Sequence, residues 1–158
     1  MATAIERARR AQSQAALLVI DLNNFKTVND GLGHHIGDAL LQHVAQAVSG
    51  RLRRSDTVAR TGGDEFSIIL EPPISREDAL HVVASLLSAM GTPLDLAGNS
   101  IRIAASVGLA IFPDDASDQE SLFVAADQDM YTKKTASRMA IPSGKPPATG
   151  MNRPGSQG

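Results

Sequence analysis

Three carboxylates stand at positions that the fold, rather than solvent, would dictate. Asp21 ends a continuous apolar run that begins at Ala15, and Asp64 and Glu65 directly follow the pair Gly62-Gly63. Mg²⁺ prefers hard oxygen ligands and is typically held by one or two carboxylates together with substrate phosphates. If the two strand ends lie side by side, Asp21 and Asp64 can reach one cation, which suits nucleoside triphosphate chemistry. The alternative is a tight turn whose acidic residues keep its tip soluble.

The composition limits the classes of function open to these carboxylates. With 158 residues, 42% hydrophobic and 20% charged, the chain is expected to fold as one globular domain. A net charge of −2 argues against binding to a nucleic acid polymer. The absence of cysteine excludes disulfides, thiolate metal sites and a thiol nucleophile. The apolar run at 15–20 is too short to cross a bilayer, so we expect a cytoplasmic chain without membrane contact of its own.

The apolar pattern predicts the elements that position the carboxylates. The run at 15–21 predicts a buried central strand. Apolar residues at steps of three and four over 36–52 predict an amphipathic helix. Two short segments, 56–60 and 65–70, flank Gly62-Gly63 and predict a hairpin in which the glycines accept positive φ angles.

The rest of the chain predicts two helices and two strands. A capping box that starts at Ser75 opens a helix through Met90. Segments at 92–96 and 101–111 predict strands joined by a turn, and a helix is expected from about 118 to 136. This order predicts an α+β fold with a mainly antiparallel central sheet packed on helices.

Several short motifs in a fixed order carry a family resemblance. They are Asp21-Leu22-Asn23-Asn24-Phe25-Lys26, Asn29-Asp30, Gly33-His34-His35-Ile36-Gly37-Asp38, Gly62-Gly63-Asp64-Glu65-Phe66, and Ala126-Asp127 through Met130-Tyr131. The conjunction covers residues 16–138 and is more specific than any one motif. The chain resembles a GGDEF-type diguanylate cyclase domain, and it is similar to the GGDEF domains of GGDEF–EAL proteins.

The resemblance implies a palm-like, ferredoxin-like fold and the condensation of two GTP molecules into cyclic di-GMP and two pyrophosphates. Each domain would hold one GTP. Two domains would meet face to face as a transient homodimer, so that each 3′-hydroxyl attacks the partner's α-phosphate. The alternative function is a weak or inactive module that binds GTP or cyclic di-GMP and regulates a partner.

The same resemblance implies roles for the acidic residues. Asp21 and Asp64 would be side-chain ligands of Mg²⁺ or Mn²⁺, and the Leu22 carbonyl would add an oxygen. Glu65 would act at the metal or at the attacking hydroxyl. Asp21, Asp64 and Glu65 together form the expected catalytic set.

A second set is expected to bind GTP: Lys26, Asn29, Asp38, Gly62, Gly63, Lys134 and Arg138. Asn29 and Asp38 would read guanine, since a carboxylate accepts from the N1–H and the exocyclic amine together. Lys134 and Arg138 would grip the triphosphate, and Lys26 would assist. Without the resemblance, Asp38 is a first-turn helix acid, and Lys134 and Arg138 are solvated cations at a helix C-terminus.

Arg53 and Asp56 match the family's RxxD inhibitory site, which implies allosteric binding of the product cyclic di-GMP. A helix-end salt bridge is the alternative. The second arginine that the family often supplies from the following helix is replaced by Ser85.

The chain also departs from the family pattern at its ends. The upstream D-x-L-T-x-L-x-N-R segment is missing, so we expect one N-terminally trimmed GGDEF domain over residues 1–139. Residues 140–158, rich in proline and glycine, are expected to be a disordered tail. Pro142 would cut short the edge strand expected after Arg138, because proline cannot donate to a ladder.

Overall fold

A four-stranded sheet with helices on both faces forms the centre of the molecule. The computed structural model describes residues 1–139, and within them lie five helices and six strands. In chain order they are α1 (Ala2–Ala11), β1 (Ala15–Asn23), α2 (Phe25–Leu32), α3 (His34–Ser49), β2 (Thr57–Arg60), β3 (Glu65–Leu70), α4 (Arg76–Met90), β4 (Leu94–Leu96), β5 (Asn99–Ile101), β6 (Ala104–Phe112) and α5 (Gln119–Met139). The predicted α+β class with a mainly antiparallel sheet is confirmed.

Strand β1 lies inside the sheet, whose order is β2-β3-β1-β6. It runs antiparallel to both neighbours, with Asp21 opposite Glu65 on β3 and opposite Ser106 on β6. Residues 15–20 are all buried, because helices cover both faces of the strand and no solvent-facing alternation is needed. The predicted central strand and the hairpin beside it are both confirmed.

The side chains of β1 alternate between two apolar clusters. Leu18, Ile20 and Leu22 face one cluster, which includes residues of α3 and α4. Leu17 and Val19 face the other, which includes residues of α1 and α5. By the same two-residue period Asp21 points to the α5 face, so any partner for its carboxylate must come from that side.

Helix α1 packs on the sheet through two alanines and one isoleucine. Ala4, Ile5 and Ala8 are buried in the cluster that contains Leu17. The guanidinium of Arg9, on the same helix, lies 5.5 Å from the ring centroid of Phe112. Sequence patterning could not identify this packing partner, because Ile5 is the only large apolar residue of the helix.

Two predicted boundaries are corrected by the structure, and one helix was not predicted. A separate helix, α2, lies between β1 and α3, and it follows Asn24, whose φ of 60° turns the chain out of the strand. Helix α3 ends at Ser49 rather than at Leu52, although Leu52 still packs on the core. The predicted strand 101–111 is divided, because the pairing with β4 ends at Ile101 and the pairing with β1 begins at Ala104.

The helices of the second half form as predicted. Ser75 accepts from the backbone N–H of Asp78, and the Asp78 carboxylate accepts in return from the Ser75 backbone, which completes the capping box of α4. Helix α5 lies so close to β6 that a Cβ at Gly108 would stand 2.6 Å from the backbone nitrogen of Met130. The expected tail at 140–158 and the shortened edge strand lie outside the described residues.

Within residues 1–139, no helix is both long enough and apolar enough to cross a membrane.

Candidate functional site

The carboxylate of Asp21 is held by a lysine from the opposite end of the chain. Lys134 Nζ on α5 lies 2.6 Å from Asp21 Oδ2, and the two side chains are 22% and 12% exposed. The other oxygen, Asp21 Oδ1, is buried and has no hydrogen-bond partner among the described residues. A carboxylate with one oxygen on an ammonium and one oxygen unpaired has spare capacity for a cation.

Backbone pairing brings the acidic residues of the hairpin to the same strand ends. The Leu22 backbone N–H donates to the Asp64 carbonyl over 3.0 Å, and Asp21 stands opposite Glu65 in the sheet. The Asp64 side chain is half-buried and that of Glu65 is exposed. Within residues 1–139 no three acidic, histidine or cysteine side chains cluster closely enough to hold a metal alone. The three carboxylates are therefore neighbours in the backbone but do not form a three-acid cluster.

The turn between β2 and β3 has a different construction from the one predicted. Neither Gly62 nor Gly63 has a φ in the left-handed range, so the connection 61–64 is not the positive-φ glycine turn that was predicted. The Glu65 carboxylate folds back over Gly62, with Oε2 2.8 Å from the position of an added Cβ. A side chain at position 62 would therefore push Glu65 aside.

Arg60 stabilises this turn by hydrogen bonds. It was not among the predicted site residues. Its Nε donates to the Gly62 carbonyl over 3.0 Å, and its Nη2 donates to the Gly63 carbonyl over 2.9 Å. The backbone N–H of Thr61 donates to the Glu65 carbonyl over 3.0 Å. The sequence offered no signal beyond the position of an arginine just before the turn.

An open groove lies on the Asp38 side of the hairpin, with a volume of about 360 Å³. Its lining residues are Asp38, Leu41, Gln42, Ala45, Val58, Arg60 and Phe66. Apolar walls with one carboxylate and one guanidinium suit a flat heterocycle that carries hydrogen-bond donors. Asn29, the other predicted guanine reader, does not line this groove.

Asn29 packs instead against the start of α3. Its Oδ1 is buried and unpartnered within the described residues, and its Cγ lies 2.9 Å from the position of a Cβ at Gly37. The Asn29 carbonyl accepts from the Gly33 backbone N–H over 2.9 Å, and Gly33 takes a φ of 91° between α2 and α3.

Two of the cations predicted to bind the triphosphate, Lys26 on α2 and Arg138 near the end of α5, are exposed.

The predicted product-binding pair lies after α3. The two oxygens of Asp56 accept from the backbone N–H groups of Arg53 and Glu71 over 2.9 and 3.0 Å. The Arg53 side chain is exposed, and within residues 1–139 it forms no ion pair with Asp56. The alternative of a helix-end salt bridge between these two residues is therefore not what the structure contains. Asp56 shapes the loop that presents the Arg53 side chain.

A second guanidinium lies beside the position of the missing family arginine. Arg51 Nη1 reaches across to α4 and lies 3.1 Å from Ser85 Oγ and 3.4 Å from the Ser85 carbonyl oxygen. On the same helix the pKa of Asp78 lies below its usual value, chiefly because the Ser75 hydroxyl donates to it, with a smaller contribution from the charge of Arg53. Arginines 51 and 53 thus place positive charge along this face of α4.

Comparison with known proteins shows the family to which the chain is similar. The family model described as "Diguanylate cyclase, GGDEF domain" matches residues 1–140. Diguanylate cyclase TpbB of Pseudomonas aeruginosa is 37% identical over 139 residues, which cover 87% of this chain and 32% of that protein. The bifunctional diguanylate cyclase/cyclic di-GMP phosphodiesterase MucR of the same species is 39% identical over 137 residues, or 85% of this chain and 20% of that protein.

A solved structure gives the same result. The GGDEF domain of TpbB from Pseudomonas aeruginosa is similar with a TM-score of 0.83 and 38% identity, over 85% of this chain and 79% of that one. The chain spans about a third or less of the length of the two curated relatives. The match over almost all of the described residues, with the motifs in order, shows that the chain belongs to the GGDEF domain family.

Proposed function

We propose that this chain is a diguanylate cyclase, which condenses two GTP molecules into cyclic di-GMP and two pyrophosphates across a transient pair of identical domains. The observation that carries the proposal is the buried Asp21 carboxylate, paired with Lys134 at 2.6 Å, beside the strand end that bears Asp64 and Glu65. This arrangement occurs in a chain of the GGDEF family, and residues 1–139 are the proposed catalytic domain.

The donor chemistry of the strand ends fits a hard divalent cation. Asp21 and Asp64 would supply carboxylate oxygens and Leu22 a backbone carbonyl, and the buried Asp21 Oδ1, which has no hydrogen-bond partner within the described residues, supports this assignment. Three protein oxygens leave room for water and phosphate ligands, which Mg²⁺ usually retains. When bound, Mg²⁺ or Mn²⁺ would neutralise charge on the phosphates.

GTP would lie across the hairpin, with its base on one side and its phosphates on the other. The groove beside Asp38 is large enough for a purine, and that carboxylate can accept from two guanine donors that adenine lacks on the same edge. Lys134 supplies positive charge for the phosphates on the α5 side, and the exposed Lys26 and Arg138 can add to it.

The chain's own residues would act mainly by positioning. In each half-reaction a 3′-oxygen bonds to the α-phosphorus of the other GTP while the bond to pyrophosphate breaks. Glu65 would orient the attacking hydroxyl and accept its proton, and the Arg60 contacts keep the Gly62-Gly63 turn in place. Because each domain holds one nucleotide, both must meet before either bond forms.

We propose that cyclic di-GMP, the product, binds to the face formed by Arg51 and Arg53 after α3 and inhibits the enzyme. Arg53 would bind phosphate or a guanine edge of cyclic di-GMP, with Asp56 at the base of the same loop. Arg51, which lies over Ser85, places a second guanidinium near the position where relatives often supply one from the helix.

Turnover of GTP is the direct test. The purified protein is incubated at high concentration with GTP and Mg²⁺, and cyclic di-GMP and pyrophosphate are quantified by chromatography. We expect product from the wild type and none from Asp64→Asn. Asp114→Asn, which makes the same charge change at the other end of the sheet, should retain activity.

The alternative function has a distinct outcome in the same experiment. If a fused, obligate dimer binds GTP but releases no pyrophosphate, the chain is a nucleotide-binding module and the cyclase proposal is wrong.

A further inference from the structure

While the Asp21–Lys134 ion pair is in place, neither oxygen of the Asp21 carboxylate is open to an incoming ion. Oδ1 is buried, whereas Oδ2 carries the Lys134 ammonium at 2.6 Å. Asp21 as a whole is 8% exposed. A cation that binds this carboxylate must therefore first displace the ammonium from Oδ2.

The charges at the strand ends favour such an exchange. Asp21, Asp64 and Glu65 carry three negative charges, and Lys134 is the only cation that the structure pairs with any of them within residues 1–139. The nearby Arg60 donates to the carbonyls of the turn instead. One ammonium leaves two negative charges uncompensated, whereas a divalent ion offsets more of this charge.

The two partners also differ in their freedom to move. Asp21 sits on an internal strand between two hydrogen-bonded neighbours, so its carboxylate cannot follow a departing partner. Lys134 reaches it from α5 through a flexible four-carbon stem, and its ammonium can turn to another anion nearby. The lysine is therefore the part that moves.

We infer that the Lys134 ammonium occupies the position of the divalent cation on Asp21. It stays there until metal and nucleotide arrive together, when the cation displaces it. The inference rests on the proposed function, since the triphosphate is the anion that receives the displaced ammonium. It makes Lys134 a positioning residue that couples the two ligands: the metal binds poorly alone, and GTP raises its affinity by giving Lys134 another partner.

Binding of Mn²⁺ in the absence of nucleotide tests the inference. Free Mn²⁺ is measured by electron paramagnetic resonance during titration of the wild type, Lys134→Met and Lys133→Met. Lys133→Met is a matched control, because it removes the same charge from the adjacent position. Lys133 itself pairs with Asp129 and the Val107 carbonyl rather than with Asp21. We expect Lys134→Met to bind Mn²⁺ about tenfold more tightly than the wild type and Lys133→Met to resemble the wild type.

Equal Mn²⁺ affinity in the wild type and Lys134→Met would overturn the inference, as would an equal gain in Lys133→Met. If Lys134→Met does not fold, Lys134→Arg decides, because its fork holds Asp21 more firmly and should lower Mn²⁺ affinity below that of the wild type. Unchanged or higher affinity in that variant also overturns it.

Addition of GTP separates this inference from the proposed function. GTP adds phosphate ligands to Mn²⁺ in both proteins, but it should raise Mn²⁺ affinity by a larger factor in the wild type than in Lys134→Met, and an equal increase in both contradicts the coupling. If neither protein binds GTP, the proposed function fails, whereas the titrations without nucleotide still decide whether Lys134 occupies the cation position.

Discussion

The amide group of Asn29 occupies the space that a side chain at Gly37 would need. An added Cβ at Gly37 would lie 2.9 Å from Asn29 Cγ and even closer to its buried Oδ1, and it would also meet Phe25. Helices α2 and α3 therefore approach each other at this point only because position 37 has no side chain.

The substitution Gly37→Ala is expected to displace the Asn29 amide and to shift the first turn of α3, which carries the groove residue Asp38, and so to weaken binding of a non-hydrolysable GTP analogue about tenfold. Isothermal titration calorimetry gives the affinity. Gly31→Ala is the control, since nothing lies within 4 Å of an added Cβ there. Equal affinities in the two variants would show that the Asn29 position does not matter for the nucleotide.

The contact between α5 and β6 leads to a prediction about stability. At Gly108 an added Cβ would collide with the Ala126 carbonyl oxygen and lie 2.6 Å from the Met130 nitrogen, both backbone atoms that cannot turn away. Gly108→Ala should therefore lower the free energy of unfolding by on the order of 3 kcal/mol. Urea denaturation measures this, with Gly50→Ala, where the nearest atom is 3.4 Å away, as a control of small effect.

Much of the fold could be predicted from sequence because local signals and tertiary contacts agree. The buried run before Asp21, the turn before Asp64 and the capping box at Ser75 each specify an element by its own residues. The division of the predicted strand near Arg102 was missed, because apolar residues at 101 and 103 keep a strand-like pattern while the chain changes its pairing partner.

The site was less predictable than the fold. Motif spacing identified Asp21 and Lys134 separately. The two residues are 113 positions apart in sequence, and their ion pair depends on how α5 crosses the sheet. Arg60 carries no pattern of its own, since its role exists only when the turn carbonyls face it. The reason for Gly62 was also wrong in the prediction: the crowding comes from Glu65, not from a positive φ.

The capping box of α4 gives a pH-dependent prediction. Ser75 holds the pKa of Asp78 below its ordinary value of 3.8, so the folded state favours the charged carboxylate. The resulting stabilisation is present above that ordinary value and disappears as the pH falls through the lowered folded pKa. Ser75→Ala should therefore lower Tm by a few degrees at neutral pH and by less in strong acid. Thermal melts across pH, with exposed Ser88→Ala on the same helix as control, measure the difference; a pH-independent loss would contradict the prediction.

The face formed by Arg51 and Arg53 gives a prediction about binding of the product. Arg53→Ala should weaken binding of cyclic di-GMP about tenfold or more, and Arg51→Ala should also weaken it, because each removes a guanidinium from the same face. Calorimetry with cyclic di-GMP measures both. Arg10→Ala, an exposed arginine on α1, should bind the product normally. Unchanged affinity in Arg53→Ala would remove the product-binding assignment.

Arg60 allows the positioning of the turn to be tested apart from its acidic residues. Arg60→Met keeps the length of the side chain but loses the hydrogen bonds to the Gly62 and Gly63 carbonyls, so the turn that carries Asp64 and Glu65 should become mobile. Because small misplacements of reacting groups are costly, kcat should fall by roughly tenfold to a hundredfold. Tm should change little, since Arg60 is exposed and outside both apolar clusters. Rates of cyclic di-GMP formation and thermal melts are compared with Arg10→Met, and a variant with normal kcat would show that the turn holds its shape without this side chain.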